Sequence, residues 1–262
     1  MQAFLNTAVE AARKAGNIII RQFGQLDRVQ VQTKSRNEFV TQVDQNAEAA
    51  IIEIIQQRYP EHSFLGEESG EIEGSDKDHV WIIDPLDGTT NFIHGFPVFC
   101  VSIALQIKGR LSVAVIYDPI RDELFTAERG SGATLDGRRI RVSKQRELQG
   151  SLIGTGFPYR SSADYLESYL GMFQDVMAEA AGVRRPGAAA LDLAYVAAGR
   201  LDGFWEFGLK PWDMAAGVLL IREAGGLVSP LTPDADYMES GNIMAGTPKV
   251  HEELKTLLAK HL

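Results

Sequence analysis

The chain has 262 residues, 45% of them hydrophobic and 23% charged, a composition that excludes disordered, collagen-like and coiled-coil classes. Its net charge of −9 argues against nonspecific binding to nucleic acid or to an anionic membrane. The single cysteine, Cys100, excludes an intrachain disulfide.

The segment Met1 to Leu5 lacks a signal-peptide pattern, and Glu10, Arg13 and Lys14 interrupt any apolar run behind it. No stretch approaches the ~18 apolar residues that a membrane-spanning helix needs, so a cytoplasmic location without membrane contact is expected. Leu5, Ala8, Val9, Ala12, Ile19, Ile20 and Phe23 recur at helical steps and predict a helix stopped at Gly24. Gln30-Val31-Gln32 reads as a short strand. A second helix is expected from near Asp44, with Ala47, Ala50, Ile51, Ile54 and Ile55 on one stripe. It ends before Pro60, because proline pushes the preceding residue out of helical geometry.

Strands follow. Ser63-Phe64-Leu65 and Val80 to Ile83 are apolar runs separated by a polar loop, Glu68 to Asp78. Val98 to Ile107 and Leu111 to Tyr117 flank a hairpin turn at Lys108-Gly109-Arg110, and Glu123 to Ala127 with the Asp136-Gly137 turn extends an antiparallel meander. Further on, Leu152-Ile153-Gly154 and Gly203 to Glu206 read as strands, and Tyr165 to Ala181, Ala188 to Ala198 and Val250 to Leu258 as helices. A helix also starts at Pro211 and stops at Gly225-Gly226. The expected fold class is α+β in mixed layers. Residues 1–262 read as one compact unit with approximate subdomains 1–148 and 149–262.

Three segments carry chemistry, each at a strand end or a helix start: Phe64 to Gly70, Trp81 to Phe92, and Leu209 to Gly217. Asp84 closes an apolar strand, and Pro85 favours a turn that brings the Leu86 carbonyl beside the carboxylates. Asp87 precedes Gly88-Thr89-Thr90, a helix start whose N–H groups suit an anion. Singly, these are turns, a solvated Gly-Glu-Glu loop and a capped helix. If Glu67, Asp84, Asp87 and Asp213 converge, however, four carboxylates require cations. Hard oxygen donors favour magnesium, and no paired His or Cys motif competes.

These segments resemble the signatures of the inositol monophosphatase family, in its bacterial SuhB-like branch. They match its Gly-Glu-Glu element, its Asp-Pro-Leu/Ile-Asp-Gly-Thr-Thr-Asn-Phe element and its Trp-Asp-x-Ala-Ala-Gly element. Arg185 to Asp192 resembles a fourth segment. The resemblance covers nearly the whole chain. It implies a layered α/β/α/β/α sandwich of the inositol monophosphatase / fructose-1,6-bisphosphatase type, a homodimer, and lithium-sensitive, magnesium-dependent hydrolysis of myo-inositol 1-phosphate. It also implies two to three Mg2+ ions per site. Glu67, Asp84 and the Leu86 carbonyl would hold the first, Asp84, Asp87 and Asp213 the second, and Glu67 a third through water. Glu67 and Thr89 would orient the attacking water, and Asp44 would hydrogen-bond near Thr89. The Gly88 and Thr89 amides would hold phosphate. Gly187, Ala189 and Glu206 would contact the polyol, with Asp213 near the leaving oxygen and Asp87 also among the substrate-binding residues. Pro186 departs from the small or polar residue frequent there, which bears on the sugar end of the pocket.

Two alternatives stand beside this. The same chemistry could serve fructose 1,6-bisphosphate or a 3′-phosphoadenosine nucleotide, with Arg138, Arg139, Arg141, Lys144 and Arg146 as a basic cluster, although a solvated hairpin face explains them better. SuhB-like proteins also resemble a factor of ribosomal RNA transcription complexes, which would contact proteins or RNA, with Arg184 and Arg185 as candidates. The histidines show no ligand spacing, and Cys100, in an apolar run, reads as a buried small hydrophobe.

Overall fold

A computed structural model describes residues 1–25, 31–35, 38–158, 165–233 and 235–262. The first half contains α1 (Gln2–Phe23), β1 (Val31–Ser35), β2 (Glu38–Thr41), α2 (Gln42–Arg58), β3 (His62–Gly66), β4 (Gly70–Ile72), β5 (Asp76–Asp87) and α3 (Thr89–Ile93). It continues with β6 (Cys100–Ile107), β7 (Arg110–Asp118), β8 (Glu123–Glu128), β9 (Gly132–Leu135) and β10 (Arg138–Arg139). The second half contains β11 (Leu152–Thr155), α4 (Leu166–Glu179), β12 (Gly182–Arg184), α5 (Ala189–Ala197), β13 (Gly203–Glu206) and α6 (Pro211–Glu223). It ends with β14 (Leu227–Pro230), α7 (Tyr237–Ser240), β15 (Ile243–Gly246) and α8 (Pro248–Leu258).

Two sheets organise these elements. The larger runs β10-β9-β8-β7-β6-β5-β3-β4 and the smaller β12-β11-β13-β15-β14. Alternation along the central strands builds the layers, because successive side chains leave a strand on opposite faces. Trp81, Ile83, Ile103, Val113 and Val115 pack with Ala8, Ala12, Ile19, Ile51 and Ile55 of α1 and α2. Ile82, Ala104, Ala114 and Ile116, from the same strands, pack on the other face with α5 and α6. Phe204, Ile243 and Ala245 cover the far side of those two helices, whereas Ile153, Trp205 and Met244 face Tyr169, Val250 and Leu254 of α4 and α8. The order is therefore α1α2, large sheet, α5α6, small sheet, α4α8, the α+β sandwich expected.

Helices between two sheets must approach each other closely. A Cβ on Gly217 would lie 2.4 Å from Leu193 Cβ, which accounts for glycine at the end of the Trp-Asp-x-Ala-Ala-Gly segment.

The differences from the sequence reading are local. The large sheet is mixed, since β3 and β5 pair in parallel. The expected polar loop contains β4 and the first turn-proximal residues of β5, because Ile72 pairs with Phe64 and Asp76 with His62. The tail of the expected helix to Ala181 is extended, and the chain passes into β12 as a parallel edge strand beside β11. β2, β14, β15 and α7 are too short for a period to show. Gln30 lies outside the described residues. Among the described residues no helix is long and apolar enough to cross a membrane.

Candidate active site

The cleft forms where β5, α3, α5 and α6 meet. Asp84, Asp87 and Asp213 each bring a carboxylate oxygen to within 4.8 Å of the others, although Asp213 arrives from the far half of the chain. Local chemistry fixes each one. Leu86 N–H donates to Asp84 Oδ1 at 2.9 Å, closing a turn around Pro85. β5 and β6 slip register between Asp84 and Asp87, so the two side chains are not separated onto opposite faces by the ordinary pleat. Asp87 Oδ2 accepts the Ala190 N–H at 2.7 Å, and the buried Cys100 thiol lies 3.8 Å from the same oxygen. Asp213 Oδ2 accepts Lys210 N–H at 2.7 Å, capping α6 behind Pro211.

Asp84 is 1% exposed. Burial pushes its carboxyl well above the usual carboxylate range, and the charges of Glu67, Asp87 and Asp213 push it further. Like charges in a poorly solvated site disfavour ionisation. Such a cluster is the electrostatic counterpart of a cation site, and its all-oxygen donors suit a hard ion. Burial raises Cys100 well above the usual thiol range, and the charge of Asp87 adds to it, so Cys100 stays a thiol.

Thr89 stands at the first turn of α3, behind Gly88 at φ 98°. A Cβ on Gly88 would lie 2.9 Å from the Val98 carbonyl, so both dihedral and space require glycine. The Thr89 hydroxyl is 2.9 Å from Asp44 Oδ1 and 3.1 Å from the Leu86 carbonyl. Its one proton goes preferentially to the carboxylate, the stronger acceptor. Asp44, fully buried, also receives Thr41 N–H at 2.8 Å in the capping box of α2. Burial raises Asp44, against lowering by its hydrogen bonds to Thr41 and Thr89.

Thr89, Gly88, Leu86 and Glu67 line one chamber of the cleft with the aspartates. Ala189, Glu206 and Asp192 line an adjoining chamber, and Asp87, Asp213, Gly187 and Arg185 line both. The residues named from the sequence for metal, water, phosphate and polyol thus fall in or directly behind the cleft.

Two contributors escaped the sequence reading. Glu48, 2% exposed on α2, accepts Glu68 N–H at 3.0 Å and Ser69 N–H at 2.7 Å. It holds the turn that presents Glu67, and a Cβ on Gly66 would meet its carboxylate at 2.5 Å. Glu48→Ala is expected to weaken divalent-cation affinity about tenfold, the low end of effects seen for residues that orient ligands, as measured by calorimetric titration. The second is Arg185, which lines the cleft although the sequence suggests an external contact; Arg184 is the exposed member of that pair. The basic cluster is exposed, with Arg138 and Arg139 on the edge strand β10 of the large sheet and Arg141, Lys144 and Arg146 in the segment after it, and it lines neither chamber.

The histidines differ from expectation. His62, Asp76 and His79 bring potential ligand atoms within 4.8 Å of one another, although their spacing does not suggest it. The two rings stack with centroids 4.5 Å apart, and His79 Nδ1 lies 2.8 Å from Asp76 Oδ2. Trp81 Nε1 donates to His62 Nδ1 at 3.0 Å. The neutral His62 ring therefore carries its proton on Nε2, leaving no lone pair there for an ion. The trio is a hydrogen-bonded stack against Trp81.

Comparison with known proteins places this geometry. The model of the inositol monophosphatase family matches residues 1–262. A protein of Pseudomonas aeruginosa named Nus factor SuhB is 54% identical over 265 residues, covering 100% of this chain and 98% of the relative. The crystal structure of extragenic suppressor protein SuhB from Bartonella henselae superposes with a TM-score of 0.96 at 49% identity, covering 99% of this chain and 100% of that one. An inositol monophosphatase from Anabaena gives a TM-score of 0.84 at 42% identity, covering 99% and 96%.

Proposed function

The chain belongs to the inositol monophosphatase family, and on that premise we propose that it hydrolyses myo-inositol 1-phosphate to inositol and phosphate in a magnesium-dependent reaction. The observation that carries this reading is the convergence of Asp84, Asp87 and Asp213 beside the α3 N-terminus. Glu67, Asp84 and the Leu86 carbonyl would hold one magnesium, and Asp84, Asp87 and Asp213 a second. A third would sit near Glu67 through water. Bound magnesium supplies Lewis acidity, offsetting phosphate charge and lowering the pKa of water.

The chain's own groups supply position. Thr89, its proton given to Asp44, turns lone pairs toward the cleft and with Glu67 accepts hydrogen bonds from the attacking water. The Gly88 and Thr89 N–H groups point at the phosphate oxygens, where negative charge develops. Asp213 stands at the leaving oxygen, and Glu206, Gly187 and Ala189 hold the polyol. The candidate carboxylates are committed to cations, so no covalent phosphoenzyme is part of the proposal. Leu166, Leu170 and Met177, exposed on α4, support the homodimer that the family implies.

A second role is supported by the name Nus factor borne by the Pseudomonas relative: association with transcription-complex proteins or RNA, which makes no use of the carboxylates.

The test is phosphate release from myo-inositol 1-phosphate, fructose 1,6-bisphosphate and 3′-phosphoadenosine 5′-phosphate, with and without magnesium. The expected result is magnesium-dependent release, fastest from the inositol ester. Faster release from another ester would keep the chemistry and replace the substrate. No release from any of the three would leave the transcription role in first place.

A further inference from the structure

We propose that Arg185 is a specificity-determining residue for the alcohol half of the substrate, an inference that rests on the phosphatase reading above. Among the described residues, Arg185 is the one lysine or arginine that lines either chamber, and it lines both. The remaining charged groups there are carboxylates. Any hydroxyl oxygen entering the outer chamber therefore meets acceptors at Glu206 and Asp192, and cationic donors at Arg185.

The position of this side chain is built into the fold. The Asn91 side-chain amide lies 2.8 Å from the Val98 carbonyl, 2.9 Å from that of Pro186 and 3.3 Å from that of Gly187. It thereby ties the loop after Arg185 to α3. Gly187 has φ +88°, and a Cβ there would come within 3.3 Å of both Arg185 Nη1 and Asn91 Nδ2. Glycine is favoured there by its dihedral, and a larger residue would press on the guanidinium. The guanidinium carbon sits 5.1 Å from the centroid of the Phe157 ring. A guanidinium seated by its face on a ring presents its N–H donors around its rim. In the same chamber, a Cβ on Gly156 would lie 1.9 Å from Glu206 Oε1, so Gly156 leaves space for the acceptor.

An acceptor and a forked donor lining one chamber suit vicinal hydroxyls, each of which can give one hydrogen bond and take another. Glu206 accepts from one hydroxyl while Arg185 donates to its neighbour. A second phosphate on the leaving group would meet the Glu206 carboxylate, and like-charge juxtaposition costs affinity. The Glu206 carboxylate therefore disfavours bisphosphates, and Arg185 favours a neutral vicinal polyol by donating to one of its hydroxyls.

The test compares kcat and KM for myo-inositol 1-phosphate and p-nitrophenyl phosphate in the wild type, Arg185→Ala, Arg185→Lys and Phe157→Leu. Binding of myo-inositol 1-phosphate is measured in parallel by calorimetry, with calcium replacing magnesium. Arg185→Ala is expected to raise KM for the inositol ester tenfold or more and to change kcat less than threefold. It should also shift the ratio of kcat/KM at least fivefold toward the nitrophenyl ester. Arg185→Lys should recover only part, since an ammonium lacks the planar fork, and Phe157→Leu should move KM in the same direction as the alanine variant.

Equal losses on both esters would place Arg185 at the phosphate and overturn the inference, as would no change on either. If the wild type releases phosphate from neither ester, the phosphatase reading fails and calorimetry decides alone. Weaker binding by Arg185→Ala then sustains the role of Arg185; unchanged or absent binding overturns it.

Discussion

Asp84→Asn is expected to lower magnesium-dependent phosphate release about a thousandfold or more, because a bound cation supplies several kcal/mol of transition-state stabilisation and each 1.36 kcal/mol is tenfold in rate. The proposed role places Asp84 between both ions, so one substitution disturbs two coordination shells. Near-normal magnesium-dependent turnover in this variant would sink the two-ion assignment.

The same variant should be more stable than the wild type when metal is chelated. The folded-state pKa of Asp84 is raised above the ordinary 3.8, by burial first and by Glu67, Asp87 and Asp213 next. Its contribution to stability is thus complete below the unfolded value and lost as pH rises through the folded one. Asparagine cannot ionise and escapes that loss. Thermal melts in EDTA should show the variant's advantage widening as pH rises from about 4 toward neutrality, and saturating magnesium should reverse the order. Capture of transcription proteins by the inactive variant would separate the two proposed roles: intact capture makes the regulatory activity independent of hydrolysis.

Thr89→Ala is expected to lower kcat roughly a hundredfold, the lower range for loss of a group that positions a proton in the transition state. Its magnesium titration should move less than threefold, since the hydroxyl is not a proposed ligand. Thr89→Ser should restore most of the rate by returning the Oγ to its bond with Asp44. Asp44→Asn should act in the same direction but more weakly, and should also destabilise α2 by about 1 kcal/mol, because Asp44 forms half of that helix's capping box. A large shift in magnesium affinity in Thr89→Ala would move that residue from orienting water to holding metal.

Much of the candidate site is legible because its residues punctuate regular elements. Asp84 interrupts an apolar strand, Gly88 and Pro211 mark helix starts, and each motif is contiguous. The layer order is implied by the family resemblance, and the near-continuous apolar runs Val80 to Ile83, Val101 to Leu105 and Leu111 to Tyr117 suit a sheet covered on both faces. What the sequence conceals depends on contacts across the chain. Glu48 reads as one more charge on α2, because the amides it holds lie twenty residues further on. Arg185 beside Arg184 reads as a basic surface pair, and only tertiary packing turns one inward and the other outward. His62 and His79 are brought together by the parallel pairing of β3 with β5, which follows from strand order and not from any spacing. β14 and β15 pair at four residues each, too few for a period to register.

The bond between Asp87 and the Ala190 amide joins positions 103 residues apart, and Asp213 comes from later still. This has a consequence for the order of events on the ribosome. A nascent chain that has emerged as far as α3 already carries Glu67, Asp84 and Asp87, yet it lacks both the amide that aims Asp87 and the carboxylate that completes the trio. An ion that needs all three could be captured only after α6 has left the exit tunnel, so cation capture would wait until both halves of the cleft have been made.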